Sequence, residues 1–201
     1  MVERYVAVVP VGKLGPEEIE PAVRAIAKTL RLPLELKAVA LPLPAGIGDR
    51  ERGQFRASVL LASLRASFAQ LGPGRVLGVE GADSPAVPRK PDVVVFVTDA
   101  DLYTSSSEAV FTALLPAKGL GVVSVRRLRE AFYRRSADPN KQRARLTREL
   151  LRAIARLVGL PECKTPQCAL APSSMLADVD LKNDRPCRAC LQRLFKGTVS
   201  I

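Results

Sequence analysis

The sequence predicts an α/β protein with a mostly parallel sheet, and two patterns support this fold class. Short apolar runs, such as residues 6–11, alternate with longer segments that repeat apolar residues at helical spacing. A strand that is apolar along its whole length is typical of a sheet covered on both faces, as parallel sheets are. The chain has 201 residues, of which 47% are hydrophobic, and this suits one domain with its own core. We therefore expect a single α/β sandwich over residues 1–201.

The first half of the chain is predicted to alternate strands and helices, beginning with a strand at residues 6–11. Pro16, Glu17 and Glu18 then start a helix that runs to Leu30, because proline fits the first helical turn and acidic side chains favour its positive end. Further strands are expected at 33–41, 75–79 and 93–97, a second helix at 55–71, and loops at 41–54 and 81–91. The inward residues are Ile19, Val23, Ile26, Ala27 and Leu30 in the first helix, and Val59, Leu60, Leu64 and Phe68 in the second.

The second half contains the clearest helix, predicted at residues 140–158. Gly159 follows it as a natural helix terminator, and Pro161 prevents its continuation. The apolar segments 109–114 and 120–125 before it form either a strand pair or loosely ordered chain. Cations recur along the helix at spacings that place them on one side: Lys141, Arg145, Arg148, Arg152 and Arg156.

The chain contains no histidine, and this excludes several classes of chemistry. Histidine is the usual general base near neutral pH and the commonest metal ligand. Ser-His-Asp and Cys-His catalysis are therefore impossible, and a metal must be bound by sulfur or oxygen. Asp99, Asp101 and Glu108 offer oxygens within one polar segment, either for a hard cation or as a solvated, helix-capping loop.

The chain is basic, and the excess charge lies in its second half. Residues 101–201 hold 18 cations and 9 anions, and residues 126–156 hold 11 and 3. This distribution is typical either of a solvated face or of a nucleic-acid-binding surface, for which only Phe132 and Tyr133 lie nearby to stack on bases. No apolar run reaches membrane-spanning length and the first residues lack a signal-peptide pattern, so we expect a cytoplasmic protein without membrane contacts.

The four cysteines provide the strongest chemical signal: Cys163, Cys168, Cys187 and Cys190 form a C-x4-C pair, an 18-residue interval and a C-x2-C pair. Two such pairs complete the tetrahedron that zinc prefers, and a shell of four sulfurs leaves no open position for water. We therefore expect one structural Zn²⁺ that clamps residues 159–196. Two disulfides or inert buried thiols are the alternatives.

Gly159 and the four cysteines resemble the end of the archaemetzincin active-site pattern, HExxHxxGxxHC-x4-C-x-M followed by CxxC. Residues 9–12 (VPVG), 52–55 (RGQF) and 98–103 (TDADLY) are similar to segments that recur in this family of metzincin-like zinc metalloproteases. The resemblance covers nearly the whole chain. It implies a single-domain zincin/metzincin-like sandwich with a central active-site-type helix, a C-terminal four-cysteine zinc subdomain and zinc peptidase activity.

Five positions depart from that pattern. Arg152 and Arg156 stand in place of the first two zinc-binding histidines, Ala153 in place of the glutamate general base, and Glu162 in place of the third histidine. Leu170 stands in place of the methionine. Because arginine does not lose its proton in proteins and repels a divalent cation, we predict that these positions hold no catalytic zinc.

Three arrangements are open for Arg152, Arg156 and Glu162. They form an Arg-Glu-Arg cluster in place of the metal, they reach solvent separately, or the arginines line a vacated cleft and bind an anion. The leading prediction for the whole protein is a pseudo-metalloprotease with one structural zinc, no peptidase activity, and a retained edge strand for a peptide or protein. The alternatives are a basic nucleic-acid-binding module and residual zinc metallopeptidase activity.

Overall fold

The computed structural model describes residues 4–72, 74–77, 84–85 and 90–196 and contains ten strands and five α-helices within them. The strands are β1 (Val6–Val11), β2 (Leu34–Leu36), β3 (Gly48–Asp49), β4 (Gln54–Arg56), β5 (Arg75–Leu77), β6 (Ser84–Pro85), β7 (Val93–Thr98), β8 (Leu102–Tyr103), β9 (Thr112–Leu115) and β10 (Leu120–Ser124). The helices are α1 (Pro16–Leu30), α2 (Ala57–Phe68), α3 (Pro139–Leu157), α4 (Leu176–Leu181) and α5 (Arg188–Lys196).

Seven strands form the main sheet in the order β6-β5-β2-β1-β7-β10-β9. The four central strands β2, β1, β7 and β10 are parallel to one another, whereas β9 and β5 run antiparallel at either side. A second, small sheet joins β3, β4 and β8. The predicted mixed α/β fold with a mostly parallel sheet is therefore confirmed.

Both faces of the two central strands β1 and β7 are buried, which explains why they are apolar along their whole length. Val6 and Val8 pack into the apolar cluster that contains the inner faces of α1 and α3, whereas Val9 and Val11 pack into the cluster that contains α2. Residues of β7 alternate between the same two clusters. The sheet therefore has α1 and α3 on one face and α2 on the other.

The two long helices have the predicted bounds to within one residue. Every predicted inward residue of α1 is buried. Asp138 caps the start of α3 by accepting a hydrogen bond from the Lys141 N–H at 2.9 Å. Of the two possibilities for segments 109–114 and 120–125, the strand pair is present as β9 and β10, joined antiparallel, but β9 begins three residues later than the predicted segment.

Two predicted elements are shorter than expected. The predicted strand 33–41 is paired over Leu34–Leu36 and rejoins β1 through a single bridge at Leu41. The predicted helix 55–71 begins later, because the Phe55 N–H donates to the Asp101 carbonyl at 2.8 Å and keeps β4 extended. Its predicted inward residue Val59 is instead 43% exposed.

The C-terminal 40 residues contain two helices, α4 and α5, that the sequence did not predict. Residues 78–79 of the predicted third strand, and most of the predicted loop 81–91, lie outside the described residues. Within the described part of the chain, no helix is long and apolar enough to cross a membrane.

Candidate metal centre

The structure brings the four cysteines together. Their sulfur atoms all lie within 4.8 Å of one another, with 3.7 Å between the Sγ atoms of Cys163 and Cys187 and 3.9 Å between those of Cys168 and Cys190. A zinc ion bound to four sulfurs at about 2.3 Å gives a tetrahedron with edges of about 3.8 Å. All four thiols are free, and these separations far exceed the S–S bond of about 2 Å in a disulfide. The cluster therefore suits a structural metal ion.

Backbone N–H groups surround the sulfurs and hold the loops that carry them. The N–H groups of Cys187 and Leu170 donate to the Cys168 sulfur at 3.2 and 3.4 Å. The N–H of Thr165 donates to the Cys163 sulfur at 3.5 Å. Cys190 lies in the first turn of α5. Such N–H···S contacts orient a thiolate ligand and offset its negative charge.

The thiols differ in how readily they lose a proton. Burial raises the pKa of Cys163, but the Thr165 N–H and hydrogen bonds from neighbouring thiols outweigh it and lower the pKa to about 7. Burial raises the pKa of Cys168 and Cys190 above the ordinary thiol value. Because a metal binds the thiolate, loading the cluster releases protons from these buried groups.

The end of α3 lies next to this centre and has a complete Schellman motif. Gly159 has a φ of +104°, its N–H donates to the Arg156 carbonyl at 3.1 Å, and the Leu160 N–H donates to the Ala155 carbonyl at 2.9 Å. The turn that follows brings Glu162 back to the helix, where its Oε1 accepts from Nη2 of Arg152 at 2.5 Å.

The predicted Arg-Glu-Arg cluster is only half present. Arg152 pairs with Glu162, but Arg156 donates from Nη1 to the Leu160 carbonyl at 2.7 Å and so fastens the turn instead. Ala153 is completely buried in the apolar core. These four side chains therefore supply two guanidinium groups, one carboxylate and one methyl group to the end of the helix.

Comparisons with known proteins place the chain in a family. The sequence model of peptidase family M54 matches residues 91–196, which is 106 of the 201 residues. The chain belongs to peptidase family M54. It is 26% identical over 191 residues to the archaemetzincin of Methanocaldococcus jannaschii, covering 94% of this chain and 92% of that one. It is also 31% identical over 101 residues to the archaemetzincin of Pyrococcus furiosus, covering 50% and 53%.

Solved structures agree with this M54 fold. A zinc-dependent peptidase from Methanocorpusculum labreanum has a TM-score of 0.77 at 22% identity, over 94% of this chain and 99% of that one. An archaemetzincin from Methanopyrus kandleri has a TM-score of 0.74 at 23% identity, over 99% and 98%. The cysteine cluster and the end of α3 both lie within the part of the chain that the M54 model matches.

Most of the column of cations along α3 of this M54 protein does not face solvent, although Lys141 at its start does. Arg145 is 0% exposed, and its guanidinium donates two hydrogen bonds of 2.6 Å to the Asp180 carboxylate and one of 2.9 Å to the Leu128 carbonyl. Arg148 pairs with Asp184 at 2.8 Å. The prediction of a solvated basic face is therefore wrong for the middle of the helix.

The predicted acidic segment does not gather its carboxylates. Arg127 donates to both oxygens of Asp101, at 2.7 and 2.8 Å, and Gln54 donates to Asp101 at 3.1 Å. Glu108 contributes its backbone carbonyl, which accepts from Gln54 at 2.9 Å. Of the described residues, only the four cysteines form a group of three or more potential metal ligands.

Sequence reasoning missed a buried polar network beside the metal centre. Glu149 of α3 and Lys182 are 1% and 0% exposed in their side chains and pair at 2.8 Å. Ser173 and Thr112 donate to the same carboxylate at 2.6 and 3.0 Å. Burial lowers the pKa of Lys182, and the Glu149 charge opposes this effect. Only the acidic residue on an otherwise inward helix face hints at this network in the sequence.

Proposed function

We propose that this M54 protein binds one structural zinc through Cys163, Cys168, Cys187 and Cys190 and does not hydrolyse peptides. The observation that supports the second half of this proposal is the contact between Arg152 and Glu162. These residues stand at two of the three positions where the resemblance to the active-site pattern places metal-binding histidines. Arg152 and Glu162 are bound to each other, so an ion pair stands where two of the zinc-binding histidines would be.

The residues at these positions do not fit a catalytic zinc. Arginine stays protonated, so Arg152 and Arg156 offer positive charge where a cation needs lone pairs. Glu162 is a single carboxylate, whereas catalytic zinc sites use three protein ligands. Ala153 has no group that can take a proton from water, and its methyl group lies in the core. No hydrolytic step can be derived from these side chains.

The four cysteines, in contrast, fit a structural ion by chemistry and by spacing. Their sulfurs have the separations of a tetrahedral shell, and zinc with four thiolates has no position left for substrate. The pairs come from the turn after α3 and from the start of α5. Zinc binding therefore joins the two ends of residues 159–196, the segment that we assign to the zinc subdomain of a single domain.

We also place this protein in the cytoplasm and assign a peptide or protein as its partner. Thiolate ligands need reduced cysteines, which a reducing compartment maintains. The strand order leaves β9 at the end of the main sheet in the described part of the chain. An edge strand offers backbone N–H and C=O groups to an extended peptide, which supports binding without cleavage.

Metal analysis and peptidase assays test the proposal together. We expect one zinc per chain by mass spectrometry of the purified protein, and no cleavage of a peptide library with or without added zinc. Two zinc ions per chain, together with hydrolysis that a chelator abolishes, would overturn it.

A restored ligand set tests the assigned positions. The triple variant R152H/R156H/E162H places histidines at the three positions, and we expect it to bind a second zinc per chain. The double variant R143H/T147H is the control, because it also adds a histidine pair four residues apart on α3 but lacks a third ligand. A triple variant that folds and still binds one zinc would show that these positions are not a former metal site.

A further inference from the structure

We propose that the surface formed by residues 126–135 and the start of α3 binds single-stranded nucleic acid. This inference is independent of the proposed loss of peptidase activity. It covers only the first part of the basic stretch 126–156 that the sequence indicated, because Arg145 and Arg148 in the middle of α3 pair with carboxylates inside the fold. The exposed cations of this surface lie before the helix and in its first turn.

Cations predominate among the charged side chains that this surface exposes: Arg126, Arg134, Arg135 and Lys141 outnumber the single carboxylate of Asp138. Arg126 and Arg134 are exposed, and no carboxylate pairs with either guanidinium among the described residues. Arg135 and Lys141 are also exposed, and each pairs with one oxygen of the Glu130 carboxylate, at 3.4 and 3.0 Å. Glu130 itself is buried. Solvent therefore meets a field of positive charge, which attracts a phosphate backbone.

The same surface presents aromatic rings, which most of the exterior lacks. Phe132 is 37% exposed and packs edge-on against Tyr133, with 5.0 Å between ring centroids. The guanidinium of Arg127 lies over the Phe132 ring at 4.8 Å from its centroid, and that of Arg135 lies 5.6 Å from the Tyr133 centroid. Rings and guanidinium planes beside exposed cations are the groups on which unstacked bases pack.

A cavity of about 370 Å³ opens beside the rings. Its walls include Val110, Phe111, Arg127, Tyr133, Met175 and Leu176. Met175 is 61% exposed at its rim. A largely apolar recess with a guanidinium and a phenol in its wall is suited to a planar base turned away from its strand, and this favours a single strand over a duplex.

The surface is held rigidly, so its groups are preorganised. Arg127 is fixed by both oxygens of Asp101 at 2.7 and 2.8 Å, and the Tyr133 hydroxyl donates to the Arg127 carbonyl at 3.1 Å. Buried Arg145 holds Glu130 at 2.7 Å and so ties the segment to α3. A ligand therefore meets rings and charges already in place, which lowers the entropy cost of binding.

Fluorescence anisotropy with labelled twelve-nucleotide dT and rU strands tests this proposal. We expect binding that weakens steeply from about 50 to 200 mM salt. The double variant R126E/R134E should bind at least about tenfold more weakly, and the slope of log K against log salt should fall by about 1.4, which is about 0.7 for each lost phosphate contact. The control K28E/R65E makes the same change in net charge at exposed residues of α1 and α2 and should retain binding.

The variant F132A separates stacking from charge alone. We expect it to weaken binding about fivefold or more, while its salt slope stays unchanged. A 2-aminopurine base in the strand should change in fluorescence with the wild-type protein and not with F132A, and melting curves confirm that the variant is folded.

Three outcomes overturn the proposal. The first is no binding at about 50 mM salt, where phosphate contacts are strongest. The second is equal affinity for a duplex of the same length, which would show that the recess is not used. The third is stronger binding to vesicles containing phosphatidylserine or to a poly-glutamate peptide, with F132A unaffected, which would show a general anion surface.

Discussion

Arg145 and Asp180 are joined by two parallel hydrogen bonds, both 2.6 Å long, that connect the middle of α3 to α4. The guanidinium is completely buried, and the Glu130 carboxylate also lies 2.7 Å from its Nη2. This side chain therefore bridges the aromatic surface before α3 and the segment that leads to the second cysteine pair.

The first prediction concerns the stability that Arg145 supplies. R145M should lower the free energy of unfolding by about 3 kcal/mol or more, because it leaves the Glu130 and Asp180 carboxylates without their buried partner. R145K should fall between R145M and the wild type, since an ammonium cannot make the paired hydrogen bonds of a guanidinium. Urea denaturation measures both. The control R143A removes an exposed arginine of the same helix and should change stability by less than about 0.5 kcal/mol.

The second prediction concerns the cysteine centre. In the zinc-loaded protein, the four thiols should react slowly with a thiol reagent, and a strong chelator should release four reactive thiols and one zinc per chain. A cavity of about 410 Å³ lined by Thr165, Gln167, Cys168 and Cys187 gives the chelator access. Proteolysis should then begin within residues 159–196. Four thiols that are reactive before chelation would contradict a bound metal.

The third prediction concerns the pH dependence of stability. The ion pair with Lys141 is the main cause that lowers the pKa of Glu130 to about 2, with Arg145 adding to it against the effect of burial. The unfolded carboxyl titrates at an ordinary value of about 4.3. Between these values the unfolded state binds more protons, so the stability from Glu130 is present above about 4.3 and is lost as the pH falls towards about 2.

Melting temperatures from about pH 7 to 2.5 test this sign. E130Q should melt below the wild type at neutral pH, and the gap should narrow as the pH falls below about 4.3. The control E51Q changes an exposed glutamate and should follow the wild type throughout. A gap between E130Q and the wild type that stays constant over the whole range would contradict the Lys141 and Arg145 contacts.

The fourth prediction concerns the buried pair of Glu149 and Lys182. K182M should destabilise the protein by about 3–5 kcal/mol, because it leaves a buried carboxylate without its cation. The double variant E149Q/K182M should recover part of this loss, since the neutral amide can accept from one of the hydroxyls of Ser173 and Thr112 and donate to the other. A double-mutant cycle in urea measures the coupling. Strictly additive losses would mean that the pair is not coupled.

Much of the fold could be predicted because its signals are local. The fully apolar runs of β1 and β7 indicate a covered sheet, and Pro16 and Gly159 mark the start of α1 and the end of α3. The cysteine spacing predicted the cluster. Each of these signals depends on residues close together in the chain, where periodicity and capping preferences act directly.

The remaining features depend on contacts between distant residues. Arginines on a helix are usually solvated, and nothing near Arg145 in the sequence shows that Asp180 will neutralise it. The basic side of α3 was therefore expected to face solvent. Glu149 and Lys182 are 33 residues apart and meet only in the folded chain. Helices α4 and α5 have only 6 and 9 residues, which is too short for the long apolar stripe that identifies a helix in a sequence. Ion pairs and the cysteine cluster hold them in place instead.

The ties between α3 and the segment around α4 are mostly ionic, through Asp180, Lys182 and Asp184. The cost of removing such charges from water falls on heating, whereas apolar burial gains little more above room temperature. The contacts between α3 and this segment should therefore become stronger relative to the apolar core as the temperature rises. On heating, we expect the segment around α4 to separate from α3 only after other parts of the fold have begun to unfold.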